Sequence, residues 1–237
     1  MQVTNNKSHW DTLGDNYSNA WEKEVKQWMS ERELNFISDY FRKENMVVLD
    51  IGIGNGRILD HHVKCGYAKE LYGIDISEEM VKICQNRFKN NEHVINIAVC
   101  DISREAIPFR TKFDFISSIR VLKYNKNWTD IVNKCVAQLN PSGIFLFTMP
   151  NKYSINFFSS YHIPYYMTKK SELVTVAEKN DSTIITIKSF TRIPDFFYEL
   201  TNNFIYVKFL KLLELFLETV LGKTLFGRIL FIVVEKK

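Results

Sequence analysis

The sequence is poor in residues that build metal centres, disulfide frameworks and nucleic-acid surfaces. Its 237 residues contain four cysteines, which are widely scattered and form no Cys-x-x-Cys pair. We therefore expect reduced, packed thiols and no metal site. No run of five or six like charges occurs and the formal net charge is +4, so we expect no nucleic-acid partner.

The sequence also shows no pattern that is typical of a secretory signal or a membrane span. The first twenty residues are polar and lack a basic start followed by an apolar stretch, which disfavours a secretory signal. The longest uncharged runs, such as 135–151, contain prolines and do not resemble membrane spans. These features predict a cytoplasmic protein without stable membrane insertion.

The most informative segment is an apolar strand that ends in glycines. Residues 47–56 read VVLDIGIGNG, in which Asp50 is followed by Gly52, Gly54 and Gly56. A β-branched run of this kind suits a strand buried in a parallel sheet, and the glycines let the backbone approach a ligand closely. Ligands of open α/β sheets bind outside the carboxyl ends of the strands, so we expect a cofactor there.

Helix and strand patterns alternate after this glycine loop. The alternation predicts one α/β domain, with a parallel sheet covered by helices on both sides. We expect an N-terminal helical lid over 1–40, a cofactor-binding core over 41–150, a substrate cap and helical insertion over 151–228, and a last strand over 229–237. Predicted helices cover 57–64, 78–89, 128–139 and 169–179, and predicted strands cover 71–76, 94–100, 113–119, 143–149, 183–190 and 229–235.

Three carboxylates stand at the ends of the first three predicted strands: Asp50, Asp75 and Asp101. Asp75 is suited to accept both hydroxyls of a ribose, and Asp101 is placed to reach an adenine amino group. A dinucleotide is the competing cofactor, but its Gly-x-Gly-x-x-Gly fingerprint is broken by an early Gly56 and by Arg57. Asp50 would also repel a pyrophosphate. An adenosine cofactor without phosphates, S-adenosylmethionine, fits better.

Three ordered motifs resemble those of class I S-adenosylmethionine-dependent methyltransferases that act on small molecules. They are VVLDIGIGNG over 47–56, YGIDIS over 72–77 and VCDI over 99–102. The resemblance covers roughly residues 40–150. It implies a doubly wound, mostly parallel, Rossmann-like sheet of seven strands in the order 3-2-1-4-5-7-6, with the last strand antiparallel.

The resemblance also implies which residues hold the cofactor. Asp50 would lie near its ammonium, Asp75 at the ribose and Asp101 at the adenine, although all three could instead brace loops or form strand-end turns. The whole implied set is Asp50, Gly52, Gly54, Gly56, Asp75, Ile76, Asp101, Ile102, Ser118 and the lid residue Tyr17.

Methyl transfer from a sulfonium needs alignment more than a strong base, because the cofactor supplies the activation. If the acceptor is a hydroxyl, His162, Tyr124 and Tyr17 are the candidate bases. Arg120 is either a solvated residue or a partner for an acidic substrate. Residues 117–120 read SSIR, so the Asn-Pro-Pro-Tyr pattern of nucleic-acid methylation is missing.

Two downstream features bear on the acceptor. Six aromatic residues within 153–166 predict either a pocket for an apolar or ring-containing molecule or a buried lid core. Helix 204–221 carries more apolar surface than one buried side requires, since its charged residues occupy about a third of its circumference. We expect this helix to be sandwiched within the cap, to form a dimer contact, or to touch lipid or a lipid-like acceptor.

The leading hypothesis is therefore an enzyme that methylates an O, N or C atom of a small apolar, aromatic or lipid-like molecule, as a monomer or homodimer. A noncatalytic S-adenosylmethionine-binding regulatory or partner protein on the same fold is the alternative. An NAD(P)-dependent oxidoreductase is disfavoured by Asp50 and Arg57.

Overall fold

One seven-stranded sheet organises the protein. The computed structural model describes residues 7, 23–155, 164–222 and 226–237. Neighbouring strands follow the order β3-β2-β1-β4-β5-β7-β6, and β7 runs antiparallel to both of its neighbours. The strands are β1 (Met46–Ile51), β2 (Ala68–Asp75), β3 (Val94–Val99), β4 (Phe113–Ser118), β5 (Leu139–Pro150), β6 (Ser182–Phe190) and β7 (Ile229–Lys236). The predicted fold class, strand order and reversed last strand are confirmed.

Helices cover both faces of the sheet. They are α1 (Glu24–Ser38), α2 (Arg57–Cys65), α3 (Glu78–Phe88), α4 (Trp128–Gln138), α5 (Lys170–Lys179), α6 (Asp195–Glu199) and α7 (Phe204–Leu221), with a 3₁₀ turn at Leu122–Tyr124. The start of α3 illustrates how local sequence fixes a boundary. Ser77 accepts a hydrogen bond from the backbone N–H of Met80 at 3.3 Å, and acidic residues occupy the first turn.

The core is divided into two layers by the sheet. Leu49 and Ile51 of β1 belong to one layer, and Val48 belongs to the other, because successive side chains of a strand point to opposite faces. All three are almost fully buried. Burial on both faces explains why β1 is apolar apart from Asp50. Because β1 runs parallel to β2 and β4, the carboxyl ends of these strands lie at one edge of the sheet.

Parts of the predicted lid and cap lie outside the described residues. They include Tyr17 in the lid and His162 in the aromatic segment, as well as Phe157, Phe158 and Tyr161. Helix α1 is the described portion of the lid. The division into lid, core, cap and last strand stays a prediction.

The long helix α7 turns both of its glutamates toward the protein and many of its large apolar residues outward. Glu214 is fully buried, whereas Phe204, Ile205 and Phe216 are each more than half exposed. Val207 and Leu210 pack with Val25 and Met29 of α1. Helix α7 is therefore not sandwiched on all sides. In the described part of the chain, no helix combines the length and apolar character needed to span a bilayer.

Candidate cofactor site

A cavity of about 350 Å³ opens at the carboxyl ends of the central strands. Each of the first three strands contributes predicted cofactor residues to its wall, because parallel strands end at the same edge of the sheet. The predicted residues that line it are Gly52, Gly54, Asp75, Ile76, Asp101 and Ile102, together with Arg120 and Tyr124 of the acceptor group.

Gly52 allows the loops after β1 and β4 to touch. Its backbone is left-handed, with φ of 73°, and a Cβ built there would lie 2.1 Å from Cγ2 of Val121. A larger residue would be strained and would also collide with the second loop. Gly56 is not among the residues that line the cavity; it caps the start of α2 in a left-handed conformation, and its missing Cβ makes room for Phe88 of α3.

Asp75 is held in place by two backbone donors. The N–H of Gly54 donates to Oδ2 at 2.9 Å, and the N–H of Ser77 donates to Oδ1 at 2.9 Å. A carboxylate can accept several hydrogen bonds, which makes it a suitable acceptor for ribose hydroxyls. Asp75 thus shapes a turn and lines the cavity, and its role at the ribose stays a prediction.

Asp101 likewise forms a turn and lines the cavity. Its Oδ1 accepts hydrogen bonds from the backbone N–H of Ser103 at 3.1 Å and from the Ser103 hydroxyl at 2.5 Å. Arg104 approaches Oδ2 at 3.5 Å from the solvent side. These contacts fix the carboxylate in an Asx turn at the cavity wall.

Asp50 and Ser118 do not line the cavity. Both are almost fully buried in the sheet, since the alternation of side chains along a strand directs Asp50 toward α2 and away from the ligand side. Ser117 donates its hydroxyl to Oδ1 of Asp50 at 2.8 Å and lies 3.4 Å from Nε2 of His62. The Asp50 side chain is thus bonded to β4, and its predicted role near the cofactor ammonium stays a prediction.

The buried Asp50 carboxyl is electrostatically unusual. Burial raises its pKa from 3.8 to about 7, and the hydrogen bond from Ser117 and the charge of Arg57 only partly oppose this. Its Oδ2 finds no hydrogen-bond donor among the described residues. A buried, incompletely satisfied carboxyl suits a cationic ligand group bound on the other side of the loop.

A three-residue charge cluster that sequence reasoning missed ties α1 to the cavity. Glu33 of α1 is 3% exposed and pairs with Arg57 of α2 at 3.0 Å and with Arg120 after β4 at 2.5 Å. Burial alone would raise the Glu33 pKa, but the two arginines hold it below its usual value. Arg120 thus faces an internal carboxylate. No sequence signal links these three distant positions.

Lys123 was also missed, and it lines the end of the cavity beside Arg120 and Tyr124. Its amine lies 4.8 Å from the ring centre of Tyr124 and 5.5 Å from that of Tyr165. Burial, followed by the positive charge of Arg120, lowers the Lys123 pKa to about 7. This amine therefore changes protonation state near neutral pH.

The mouth of the cavity is charged, with Lys23, Lys26 and Glu199 on its rim. Glu199 bridges Lys23 at 2.6 Å and Lys26 at 2.9 Å. The described residues contain no group of three or more His, Cys, Asp or Glu side chains arranged to bind a metal ion.

Comparison with known proteins agrees with this geometry. A family profile described as a methyltransferase domain matches residues 20–192. The chain is 26% identical over 122 residues to an uncharacterized methyltransferase of Schizosaccharomyces pombe, which covers 48% of this chain and 42% of that protein. It is 21% identical over 140 residues to the ubiquinone biosynthesis O-methyltransferase of Hydrogenovibrio crunogenus, covering 57% of each. The chain spans about half the length of the curated relatives it matches.

Solved structures share the fold along almost the whole chain. Magnesium protoporphyrin IX methyltransferase of Synechocystis, with bound SAH, superposes with a TM-score of 0.66 at 12% identity and 98% coverage of both chains. A putative methyltransferase of Haloferax volcanii gives a TM-score of 0.68 at 15% identity, covering 97% of this chain and 96% of that one. Since the family profile covers well over half of the sequence, the chain belongs to the methyltransferase-domain family.

Proposed function

We propose that this protein binds S-adenosylmethionine in the cavity and transfers its methyl group to a small molecule. The observation that carries the proposal is that Asp75 and Asp101 line the same cavity as Gly52 and Gly54. An adenosine presents two ribose hydroxyls and one amino group, which are hydrogen-bond donors matched to carboxylates. Ile76, Met80 and Ile102 add apolar surface for the adenine ring.

In this proposal, each residue of the cofactor site has a defined role. When bound, S-adenosylmethionine supplies a methyl group already activated by a sulfonium. Asp75 accepts the ribose hydroxyls and Asp101 accepts the adenine amino group. The Gly52 and Gly54 backbones lie beneath the methionine part. Asp50 acts through the loop, since its buried carboxyl favours an ammonium on the cavity side.

The acceptor side is assigned to the segment after β4. Tyr124 and Lys123 line the cavity there, and an amine that is neutral near pH 7 is suited to accept a proton from a hydroxyl acceptor. Arg120 positions this segment through Glu33 and needs no contact with substrate. The predicted bases Tyr17 and His162 stay predictions, since they lie outside the described residues.

An apolar or ring-containing acceptor is the class that we propose. Aromatic rings of Tyr124 and Tyr165 flank the Lys123 amine at the acceptor end. Two similar proteins have names that refer to ubiquinone biosynthesis and to magnesium protoporphyrin IX. Ubiquinone and magnesium protoporphyrin IX are both molecules with large apolar parts. The cytoplasmic location, the absence of a nucleic-acid partner and the oligomeric state stay predictions.

Two measurements test this function. Calorimetry should show binding of S-adenosylmethionine and S-adenosylhomocysteine and none of NADH, and NADH binding would favour the oxidoreductase. A labelled-methyl assay on metabolite extracts, followed by mass analysis of the product, should then identify the acceptor. Cofactor binding without release of S-adenosylhomocysteine in any extract would favour the noncatalytic alternative.

A further inference from the structure

Helix α7 exposes a continuous apolar surface, which we call the outer face. It is formed by side chains that are each more than half exposed: Phe204, Ile205, Phe209, Leu212, Phe216 and Val220. Large exposed apolar patches on folded proteins mark sites of interaction. The outer face therefore needs an explanation beyond the ordinary scatter of apolar residues on a surface.

The orientation of α7 is fixed from the opposite side by buried charge. Oε1 of Glu214 accepts hydrogen bonds from the backbone N–H groups of Arg192 at 2.6 Å and Ile193 at 2.7 Å, and from the Tyr198 hydroxyl. One turn later, Glu218 pairs with Arg32 of α1. Turning the helix to bury its apolar residues would break these bonds and leave Glu214 without partners. The folded protein is thus built to keep the outer face outward.

This surface begins beside the cavity. Helix α6 ends at Glu199 on the cavity rim, and the next residue, Leu200, is 61% exposed. Phe196 on the same short helix is 58% exposed, and α7 begins only a few residues later at Phe204. The outer face therefore begins five residues after Glu199, which lines the cavity.

The chemistry of the outer face matches a lipid surface better than a protein partner. Lys208 and Thr219 are the exposed polar residues of α7, and the Thr219 hydroxyl already donates to the carbonyl of Leu215 at 2.9 Å. Protein interfaces carry roughly one hydrogen bond per 100–200 Å², a density that this face has too few polar groups to supply. Hydrocarbon requires no such bonds.

Charge around the outer face favours an anionic surface. Lys208 makes no ion pair with any described residue, and neither acidic residue of α7 lies on the exposed side. Lys23 and Lys26, which line the cavity, both pair with Glu199. The exposed side of α7 itself thus carries the cation of Lys208 and no carboxylate, a charge that anionic lipid headgroups attract.

We propose that the outer face of α7 docks on the surface of an anionic bilayer, with its aromatic and aliphatic side chains among the headgroups and upper acyl chains. The helix lies in the plane of the interface and places the cavity mouth at the membrane surface. The docking is inferred only from the exposed surface of α7. Its use, the delivery of an apolar methyl acceptor from the bilayer, rests on the proposed function.

Flotation of the full chain with vesicles tests the docking. The protein should float with vesicles of phosphatidylcholine and phosphatidylglycerol and more weakly with phosphatidylcholine alone. A double variant, Phe209→Gln with Phe216→Gln, should lower the floated fraction about tenfold, because it removes two of the largest side chains that would enter the bilayer. The matched control, Ile95→Thr with Ile185→Thr, removes exposed apolar groups at the two sheet edges and should float like the wild type.

Folding and cofactor binding are checked in the same samples by titration with S-adenosylhomocysteine, which should bind all variants equally. Wild-type protein that stays unbound to both vesicles, or a double variant that floats as well as the wild type, overturns the proposal. A concentration-dependent dimer that is lost in the double variant, without flotation, assigns the outer face to a second copy of the chain and also overturns it. Flotation without cofactor binding would leave the docking intact and contradict the proposed function.

Discussion

Glu33 and Arg120 form an ion pair across 87 residues of chain, and this pair joins helix α1 to the loop that follows β4. Arg57 completes the cluster from the first turn of α2. Three elements around the cofactor cavity are therefore connected through one buried carboxylate. Helix α1 is thus connected to the site through charge.

Replacing Glu33 with Gln should destabilise the protein by about 2–3 kcal/mol, because two partly buried guanidinium groups lose their counter-charge. The Glu33 pKa is lowered in the folded state, so its contribution is present above the carboxyl's ordinary pKa of 4.5 and is lost as the pH falls through the lower folded value. Urea unfolding from pH 7 to pH 3 measures both effects. Glu31→Gln, an exposed neighbour on α1, is the control and should change little; equal losses in both variants would contradict the assignment.

Asp75→Ala should weaken S-adenosylhomocysteine binding by about 10- to 150-fold, which corresponds to about 1.5–3 kcal/mol for lost charge-assisted hydrogen bonds. Isothermal calorimetry gives the dissociation constant directly. Because Asp75 also holds the Gly54 and Ser77 backbones, Asp75→Asn separates the roles: it keeps an oxygen acceptor and should lose less affinity than Ala. An unchanged dissociation constant in Asp75→Ala would remove the ribose assignment.

The raised pKa of Asp50 predicts a pH-dependent effect of Asp50→Asn. A carboxyl whose folded pKa lies near 7, above its ordinary 3.8, favours folding while protonated and opposes it increasingly as the pH rises between those values. Relative to wild type, Asp50→Asn should therefore gain up to about 4 kcal/mol of unfolding free energy between pH 4 and pH 8 in the absence of cofactor. Denaturant titrations at both pH values measure the difference. The exposed Asp181→Asn is the control, and a pH-independent difference for Asp50→Asn would show that the carboxyl is ionised throughout.

The Lys123 amine should titrate near pH 7. In protein whose lysines carry ¹³C-methyl groups, one NMR signal should shift with a midpoint near that pH and disappear in Lys123→Arg. The same signal should respond to S-adenosylhomocysteine, because Lys123 lines the cavity. A midpoint above pH 9 would mean that the amine stays protonated and cannot accept a proton from a substrate at neutral pH.

The fold and the cofactor wall were predictable because both depend on local patterns. Alternating apolar strands and capped helices predicted the parallel sheet, whereas its strand order came from the family resemblance. Carboxylates at strand ends pointed to Asp75 and Asp101, which both line the cavity. Even the buried position of Asp50 follows from the two-residue period of a strand, since its neighbour Ile51 faces the cavity. Strand ends were less accurate: β5 begins at Leu139, four residues before the predicted start, because Leu139 pairs with Phe113 of β4.

The remaining features depend on contacts between distant residues. The pairing of Glu33 with Arg57 and Arg120 joins positions that no periodicity relates. A helical wheel of 204–221 shows where the charged stripe lies and leaves open which side faces the protein. In the fold, that choice is made by Arg192 and Arg32, which lie on other elements and meet Glu214 and Glu218.

The contact at Gly52 has a mechanical consequence. Because a Cβ at this position would overlap the Val121 side chain, only glycine lets the loop after β1 pack directly against that side chain in the loop after β4. This packing fixes two cavity-lining loops relative to each other, and in the proposed function one loop meets the cofactor and the other meets the acceptor. Less conformational entropy is then lost when the two reactants are brought into line. Gly52→Ala should accordingly slow methyl transfer by spoiling alignment, even where the cofactor still binds.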